Sequence, residues 1–316
     1  MDWRPGASLD VLRARAALID RVRAFFAARG VLEVDTPVLG RCTVTDPEIE
    51  SIGADGVWLQ TSPEYFMKRL LAAGSGPIYQ FAHAFRAGER GRRHNPEFLL
   101  LEWYRPGFDD GALMDEIEAL LASVLPGPAP LRLPFAALVG GAFDVDPLTA
   151  DNEALAAALT GHWAHIGREG DPLHLTDGRR AGLLDLLYAE ASERIEGRAF
   201  ITDFPPEMSA LARLREDDAG RRVAARFELV VDGVELANGF HELVDADEQR
   251  ARFEADLEDR AARRRVAPDI DERFLAALEA GLPDCSGVAL GVDRLLMLAI
   301  GVDTLDAVQS FSFDRR

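Results

Sequence analysis

The sequence predicts an α+β fold in which an antiparallel sheet is flanked by helices, and three features lead there. Two stretches, Ile78 to Tyr104 and Arg226 to Leu243, each hold a pair of alternating runs joined by a loop or turn, as hairpins do. Around them, apolar residues recur at steps of three and four in segments bounded by capping residues and glycines, as in amphipathic helices. At 316 residues with 48% hydrophobic side chains, the chain can bury a sizeable core, in one large domain or two.

Taken in order, Ser8 can cap a helix carrying Leu12, Ala16, Ile19, Val22 and Phe26, with Asp10 in its first turn and Gly30 just past its end. Leu32, Val34 and Thr36 then alternate until Pro37, which cannot donate to a ladder and marks an edge or a break. Val57 to Gln60 reads as a strand leading into TSPEYFMKRLLAAG, where Pro63 stands near a helix start. Glu64 falls in the first turn, where a carboxylate also simply complements the helix dipole. Leu113 to Leu125 forms the next helix, and PGPAPLRLP after it reads as a rigid connector. From Leu138 to Arg198 the chain is alanine-rich helix with loops and shows no chemistry; His162, His165 and His174 receive no role. Phe200 to Phe204 returns to strand, helices follow from Glu248 to about Arg264 and from Glu272 to Ala280, and Ser286 to Leu290 is a buried strand. Gly291 introduces the last helix, which ends at Gly301.

Chemistry concentrates in three places. On the first hairpin, Ile78, Gln80, Ala82, Ala84 and Arg86 share one face, and the two alanines leave room above it. On the return run Phe98, Leu100, Glu102 and Tyr104 share a face. The loop between, Gly88 to Glu97, gathers Arg90, Arg92, Arg93 and His94 in a chain whose net charge is -19, so an anion is expected there and the face reads as the floor of an ATP site. Standing alone, the stretch also suits an ordinary hairpin with a solvated basic tip. On the second hairpin, Asp232-Gly233 signals a two-residue turn that sets Val230 opposite Glu235. Glu228 shares the face of Val230, so two carboxylates project together and repel unless a cation lies between them. Mg²⁺ carried by ATP suits such a pair, although a solvated face decorated with glutamates is the plainer alternative. Asn238 and Glu242 fall on the opposite parity to Glu235, so a shared pocket requires a bulge near Asn238-Gly239. Arg294, in the first turn of its helix, opposes the helix dipole, which points to a bound anion unless the side chain turns to solvent.

Composition excludes several classes. The acidic balance disfavours extended contact with nucleic-acid phosphates. Cys42 and Cys285 are the only cysteines, without CxxC spacing, and the six histidines form no ligand cluster, so neither a disulfide scaffold nor structural zinc is expected. No run of about 18 apolar residues occurs, and MDWRPGASLD lacks the apolar core of a signal peptide, so the expected location is the cytoplasm.

With these residues in view, the order helix, strand and Pro37, then the Arg86 hairpin, then GVDR resembles the three motifs of class II aminoacyl-tRNA synthetases. TSPE, RHNPEF, LEWY, ELANGF and GVDR are most similar to the lysyl type. The lysyl enzymes carry an anticodon-binding barrel before the helix corresponding to residues 8 to 29, whereas this chain starts almost at that helix. It therefore resembles, over nearly its whole length, the stand-alone paralogues that attach lysine or β-lysine to a lysine of translation elongation factor P. The resemblance implies a single catalytic domain over residues 1–316, ATP as co-substrate with Mg²⁺, a homodimer, and no stable tRNA binding. It also implies site roles. Arg86 and Arg294 would be catalytic, Arg86 meeting the α-phosphate and the attacking carboxylate. Phe98 and Arg294 would flank adenine, and Gly88, Glu89, His94, Asn95, Leu236 and Gly291 would line the nucleotide. Ser62, Pro63 and Glu64 would meet the amino acid, Glu64 at its α-amine. Tyr104 and Glu242 would hold the distal ammonium, Asn238 the carboxylate, Ala289 the pocket floor, and Glu228 and Glu235 the metal. One departure stands out: the class usually has an acid two positions after the hairpin arginine, and here that position is Gly88, with Glu89 one step on. The expected function is ATP-dependent adenylation of lysine or β-lysine and its transfer to elongation factor P. The alternatives are a truncated RNA-charging enzyme and a catalytically silent regulatory paralogue.

Overall fold

The computed structural model describes residues 3–315. The chain folds as two compact units, one built from the segments up to Gly127 and from Leu243 onward, the other from Pro128–Glu242.

In the first unit the strands lie in the order Leu32–Glu33, Ile78–Phe85, Glu97–Pro106, Cys285–Gly291, the first pair parallel and the rest antiparallel. The predicted edge strand is only two residues long, although the Val34 N–H still bonds the Tyr79 carbonyl at 2.9 Å. The helix Leu9–Ala27 starts where Ser8 accepts the Val11 N–H at 3.3 Å and ends ahead of Gly30 at φ +65°. Its Phe26 stacks on Tyr79 at 4.5 Å and meets Trp103 at 5.4 Å, so one sheet face is sealed by aromatic packing. The opposite face carries Gln80, Ala82 and Ala84, then Phe98, Leu100, Glu102 and Tyr104, then Gly287, Ala289 and Gly291, all in register across three strands. A second, three-stranded sheet, in the order Leu39–Gly40, Val57–Leu59, Gly53–Ala54, precedes the helix Glu64–Ala72. That helix packs on Glu272–Gly281 through Tyr65 and Phe274, stacked at 4.5 Å.

Buried polar links hold this unit together across long sequence separations. Asp293, at the start of the helix Val292–Ile300, accepts from Arg15 at 2.5 Å, from the Leu99 N–H at 3.0 Å and from Gln309 at 3.1 Å. Asp293→Ala strands Arg15, largely buried, together with an amide proton, and is expected to cost about 3 to 5 kcal/mol in urea unfolding. A second link runs from Thr45, whose hydroxyl donates to Asp256 at 2.7 Å, to Arg260, which donates to the carbonyls of Thr45 and Asp46. Burial, opposed by the Thr45 hydrogen bond, pushes the Asp256 carboxyl up to about 6. Because this native pKa lies above the unfolded one, the folded state holds an extra proton between about pH 4 and 6, and the associated stability is lost as pH rises through about 6. Asp256→Asn keeps an acceptor for Thr45 without the charge, so it is expected to be more stable than the parent at pH 8 by about 2 to 3 kcal/mol, with the difference gone near pH 4. Urea unfolding at the two pH values measures this.

In the second unit the order is Leu131–Pro134, Arg198–Phe204, Arg222–Val231, Val234–His241, with Leu214–Glu216 beside Arg222–Val231. The proline-rich connector thus becomes a strand: Leu131–Pro134 pairs parallel to Arg198–Phe204 at the sheet edge, where the missing proline N–H is tolerated. Helices Phe135–Phe143, Asn152–His165 and Arg180–Ser192 pack on this sheet through Phe135, Leu159, Trp163 and Leu187. The Asp232-Gly233 turn is as expected, with φ of +48° and +69° and Val230 opposite Glu235. A Cβ at Gly233 would lie 2.5 Å from the Glu193 carbonyl oxygen, so glycine is required there by space as well as by φ.

Candidate active site

In the first unit, the site residues collect on the face floored by small side chains. Arg86 follows the strand end, its N–H bonded to the Pro96 carbonyl at 2.9 Å. Its guanidinium lies over the Phe98 ring at 5.1 Å, donates to the Thr61 carbonyl at 3.4 Å and pairs with Glu89 at 3.5 Å. Gly88 has φ +79°, a conformation that explains why the turn takes a glycine there. Arg294 donates to the Arg93 carbonyl at 3.3 Å and contacts His94 Nε2 at 2.9 Å, so the basic loop and the last helix are tied through two of the predicted residues. Since Arg294 can only donate, His94 accepts with a bare Nε2. Gly291 lies against the Arg294 side chain, at 3.7 Å from where its Cβ would be.

Asn95 is engaged by the protein on both sides: its amide donates to the Glu97 carbonyl at 2.7 Å and its oxygen accepts from the Phe313 N–H at 3.1 Å. It shapes the loop from within, and neither hydrogen bond turns it toward the floor. At the far end of the face Tyr104 donates to Glu102 at 2.8 Å, with Glu102 only 2% exposed. Ala289 stands directly opposite Glu102 on the neighbouring strand, and Gly287 opposite Tyr104. Glu102 is visible in the sequence as an inward carboxylate without a role; its register puts it opposite Ala289, one of the predicted site residues. Glu64 opens its helix after Ser62 and Pro63 and accepts from the buried Lys68 at 2.7 Å.

The second unit gathers the remaining residues. The ladder slips between Leu229, opposite Ala237, and Val230, opposite Glu235, so Leu236 is the extra residue of a bulge. The expected phase change is therefore real but lies at Leu236, two residues ahead of Asn238-Gly239. Gly239 has another reason: a Cβ there would fall 2.3 Å from the Phe227 ring. Beyond the bulge, Asn238 pairs with Glu228, so Glu228, Glu235 and Asn238 share one face. Glu228 is clamped by Arg226 and by the Tyr188 hydroxyl at 2.7 Å. Neither partner was anticipated, since Tyr188 comes from the helical stretch that shows no chemistry in sequence and Arg226 offers no signal beyond parity. Burial, and then the nearby Glu235 charge, pushes the Glu228 carboxyl up to about 7. Asn238 Oδ1 is buried without a hydrogen-bond partner among the described residues, a polar end suited to a ligand. Glu242 is 1% exposed, its backbone fixed by Arg213 at 3.1 Å and a bridge to Ala212.

Among the described residues no three His, Cys, Asp or Glu side chains are placed to hold a metal by themselves. Two carboxylates fit Mg²⁺ that arrives with phosphate oxygens, as it does on a nucleotide. No helix among the described residues is long and apolar enough to cross a membrane.

Comparison with known proteins bears on the same residues. The family described as tRNA synthetases class II (D, K and N) matches residues 1–315. The chain is also 48% identical, over 98% of its own length and 97% of the other, to the elongation factor P–(R)-β-lysine ligase of Proteus mirabilis (strain HI4320).

Proposed function

This chain belongs to the class II tRNA synthetases (D, K and N), and from that premise we propose that it is an ATP-dependent, AMP-forming ligase that adenylates lysine or β-lysine and transfers it to a lysine of elongation factor P. The observation that carries the reading most is the sheet face of the first unit, with Arg86 and the Arg294–His94 contact at one end and the Glu102–Tyr104 pair at the other. Cations at one end suit a polyphosphate, and a buried carboxylate with a phenol at the other suits an ammonium.

In the first step the amino acid carboxylate attacks the α-phosphorus of ATP, forming the mixed anhydride and releasing pyrophosphate. Arg86 and Arg294 stabilise the charge that builds on the phosphate oxygens, and Phe98 offers a ring for the adenine. Glu228 and Glu235 would hold Mg²⁺, which neutralises phosphate charge when bound. Glu64 is assigned to the amine near the carboxylate, Asn238 to the carboxylate, and Tyr104, Glu242 and Glu102 to the distal ammonium. In the second step a neutral lysine amine of the acceptor attacks the carbonyl carbon, the bond to the phosphate oxygen breaks, AMP leaves, and the amine loses a proton. With an ordinary pKa of about 10.4, the acceptor amine is almost wholly protonated at pH 7, so its desolvation must favour the neutral form. The two units act, in this reading, as one catalytic domain in a cytoplasmic homodimer. The exposed apolar residues Leu32, Val38 and Leu39 beside Pro37 support a dimer. ATP–pyrophosphate exchange driven by β-lysine or lysine tests the reading, and charging of bulk tRNA in its place would favour the RNA-charging alternative.

Ala289 bears on the choice of amino acid. β-Lysine carries its amine one carbon further from the carboxylate than lysine, a displacement of about 1.5 Å. The Ala289 methyl, facing Glu102, takes up space where one arrangement would sit. Ala289→Gly is expected to raise the use of lysine relative to β-lysine by about tenfold to a few hundredfold, with ATP affinity unchanged. Exchange kinetics with both amino acids measure the ratio, and an unchanged ratio would leave Ala289 as floor packing alone.

A further inference from the structure

The three-stranded sheet and the helix Glu64–Ala72 border a cavity of about 70 Å³, and of its lining only Ser62 has a role above. Arg41, Arg69 and Arg273 stand around it, with Trp58 and Phe66 on its apolar wall. Arg69 lies over the Phe66 ring at 5.5 Å, and none of the three guanidinium groups forms an ion pair with another described residue. The acid on the same wall, Asp271, is committed to capping its helix, accepting from the N–H groups of Arg273 and Phe274 at 3.0 Å each. The lining carries three arginines against the one carboxylate of Asp271, an excess of cations that suits an anion on the arginine side, in a chain whose net charge is -19. The planar guanidinium forks match a carboxylate, and the two aromatic rings suit its methylene stem.

The cavity also adjoins the chemistry. Thr61, on its wall, is the residue whose carbonyl receives Arg86 at 3.4 Å, so the cavity and the arginine assigned to catalysis share a residue. We propose that this cavity binds an acidic side chain of the acceptor protein, near in sequence to the lysine that is modified, and so anchors the acceptor for the transfer step. The proposal rests on the ligase reading above and adds to it the feature of the acceptor that is recognised.

The test uses the full-length protein with Arg41→Ala, Arg69→Ala and Arg273→Ala, and with Arg69→Lys and Arg273→Lys as charge-retaining controls, each checked by thermal melting. Two readouts separate the steps: ATP–pyrophosphate exchange with (R)-β-lysine, and transfer to elongation factor P as a function of acceptor concentration. The expected result is exchange within twofold of the parent, a KM for the acceptor raised on the order of tenfold by each alanine variant, and partial recovery with lysine. Acceptors with single acidic residues near the target lysine neutralised should lose about the same factor against the parent enzyme and little more against the alanine variants. Unchanged transfer overturns the proposal, as does a parallel fall in exchange, which would assign the arginines to the amino acid or ATP. A parent protein that neither exchanges nor transfers would instead overturn the ligase reading and take this proposal with it.

Discussion

Arg86→Ala and Arg294→Ala are each expected to lower ATP–pyrophosphate exchange by at least about a hundredfold to a thousandfold, the loss seen when one preorganised donor to a developing charge is removed. Neither change should unfold the protein. The Arg86 main chain keeps its place through the 2.9 Å bond to Pro96, and the start of the Arg294 helix is pinned by Asp293 rather than by Arg294. The effect should fall on turnover more than on amino acid binding, because the guanidinium charge matters most when the pentavalent phosphorus forms. Arg86→Lys should recover little, since a single ammonium cannot span the Phe98 ring, the Thr61 carbonyl and a phosphate as a planar fork does. Exchange near the parent rate in either alanine variant would contradict the assignment of the sheet face.

The second large effect is expected at Glu242. Glutamine there keeps size and backbone links while removing the counter-charge for a buried ammonium, a loss of about 3 to 5 kcal/mol, or on the order of a few hundredfold or more in amino acid affinity. ATP binding should change by less than about threefold. Calorimetric titration with each substrate distinguishes this from a general loss of structure, which would weaken both. Glu102→Gln is the natural comparison: if Tyr104 and Glu102 hold the same ammonium, it should show the same selectivity of loss.

Much of the fold was legible because its signals are local. Ser8, Asp232-Gly233 and Gly301 mark a cap, a turn and a helix end through interactions a few residues long, and each stands where the sequence puts it. Alternation likewise put Gln80, Ala82 and Ala84 on one face of their strand, and Glu102 and Tyr104 on one face of theirs, and the register joins the two. What escaped depends on distant partners. The bulge at Leu236 is set by how Arg222–Val231 and Val234–His241 settle against each other, and no residue type announces it. Tyr188 reaches Glu228 across 40 residues, and Arg15 reaches Asp293 across 278, so neither pair leaves a pattern in a local window. Leu131–Pro134 was hidden for a different reason: Pro134 and the prolines just before the strand disguise it, and it is tolerated at an edge. Glu102 shows the intermediate case, legible as inward and polar, and a candidate for the site only once Ala289 stands opposite it.

The most direct test of the account is the intact mass of purified elongation factor P after incubation with this protein, ATP and Mg²⁺, with (R)-β-lysine and lysine offered in competition. The account predicts that elongation factor P gains the mass of one aminoacyl group on a single lysine, only when ATP is present and not with the Arg86→Ala variant. An unmodified elongation factor P, in a reaction where the same enzyme exchanges pyrophosphate or charges tRNA, would contradict it.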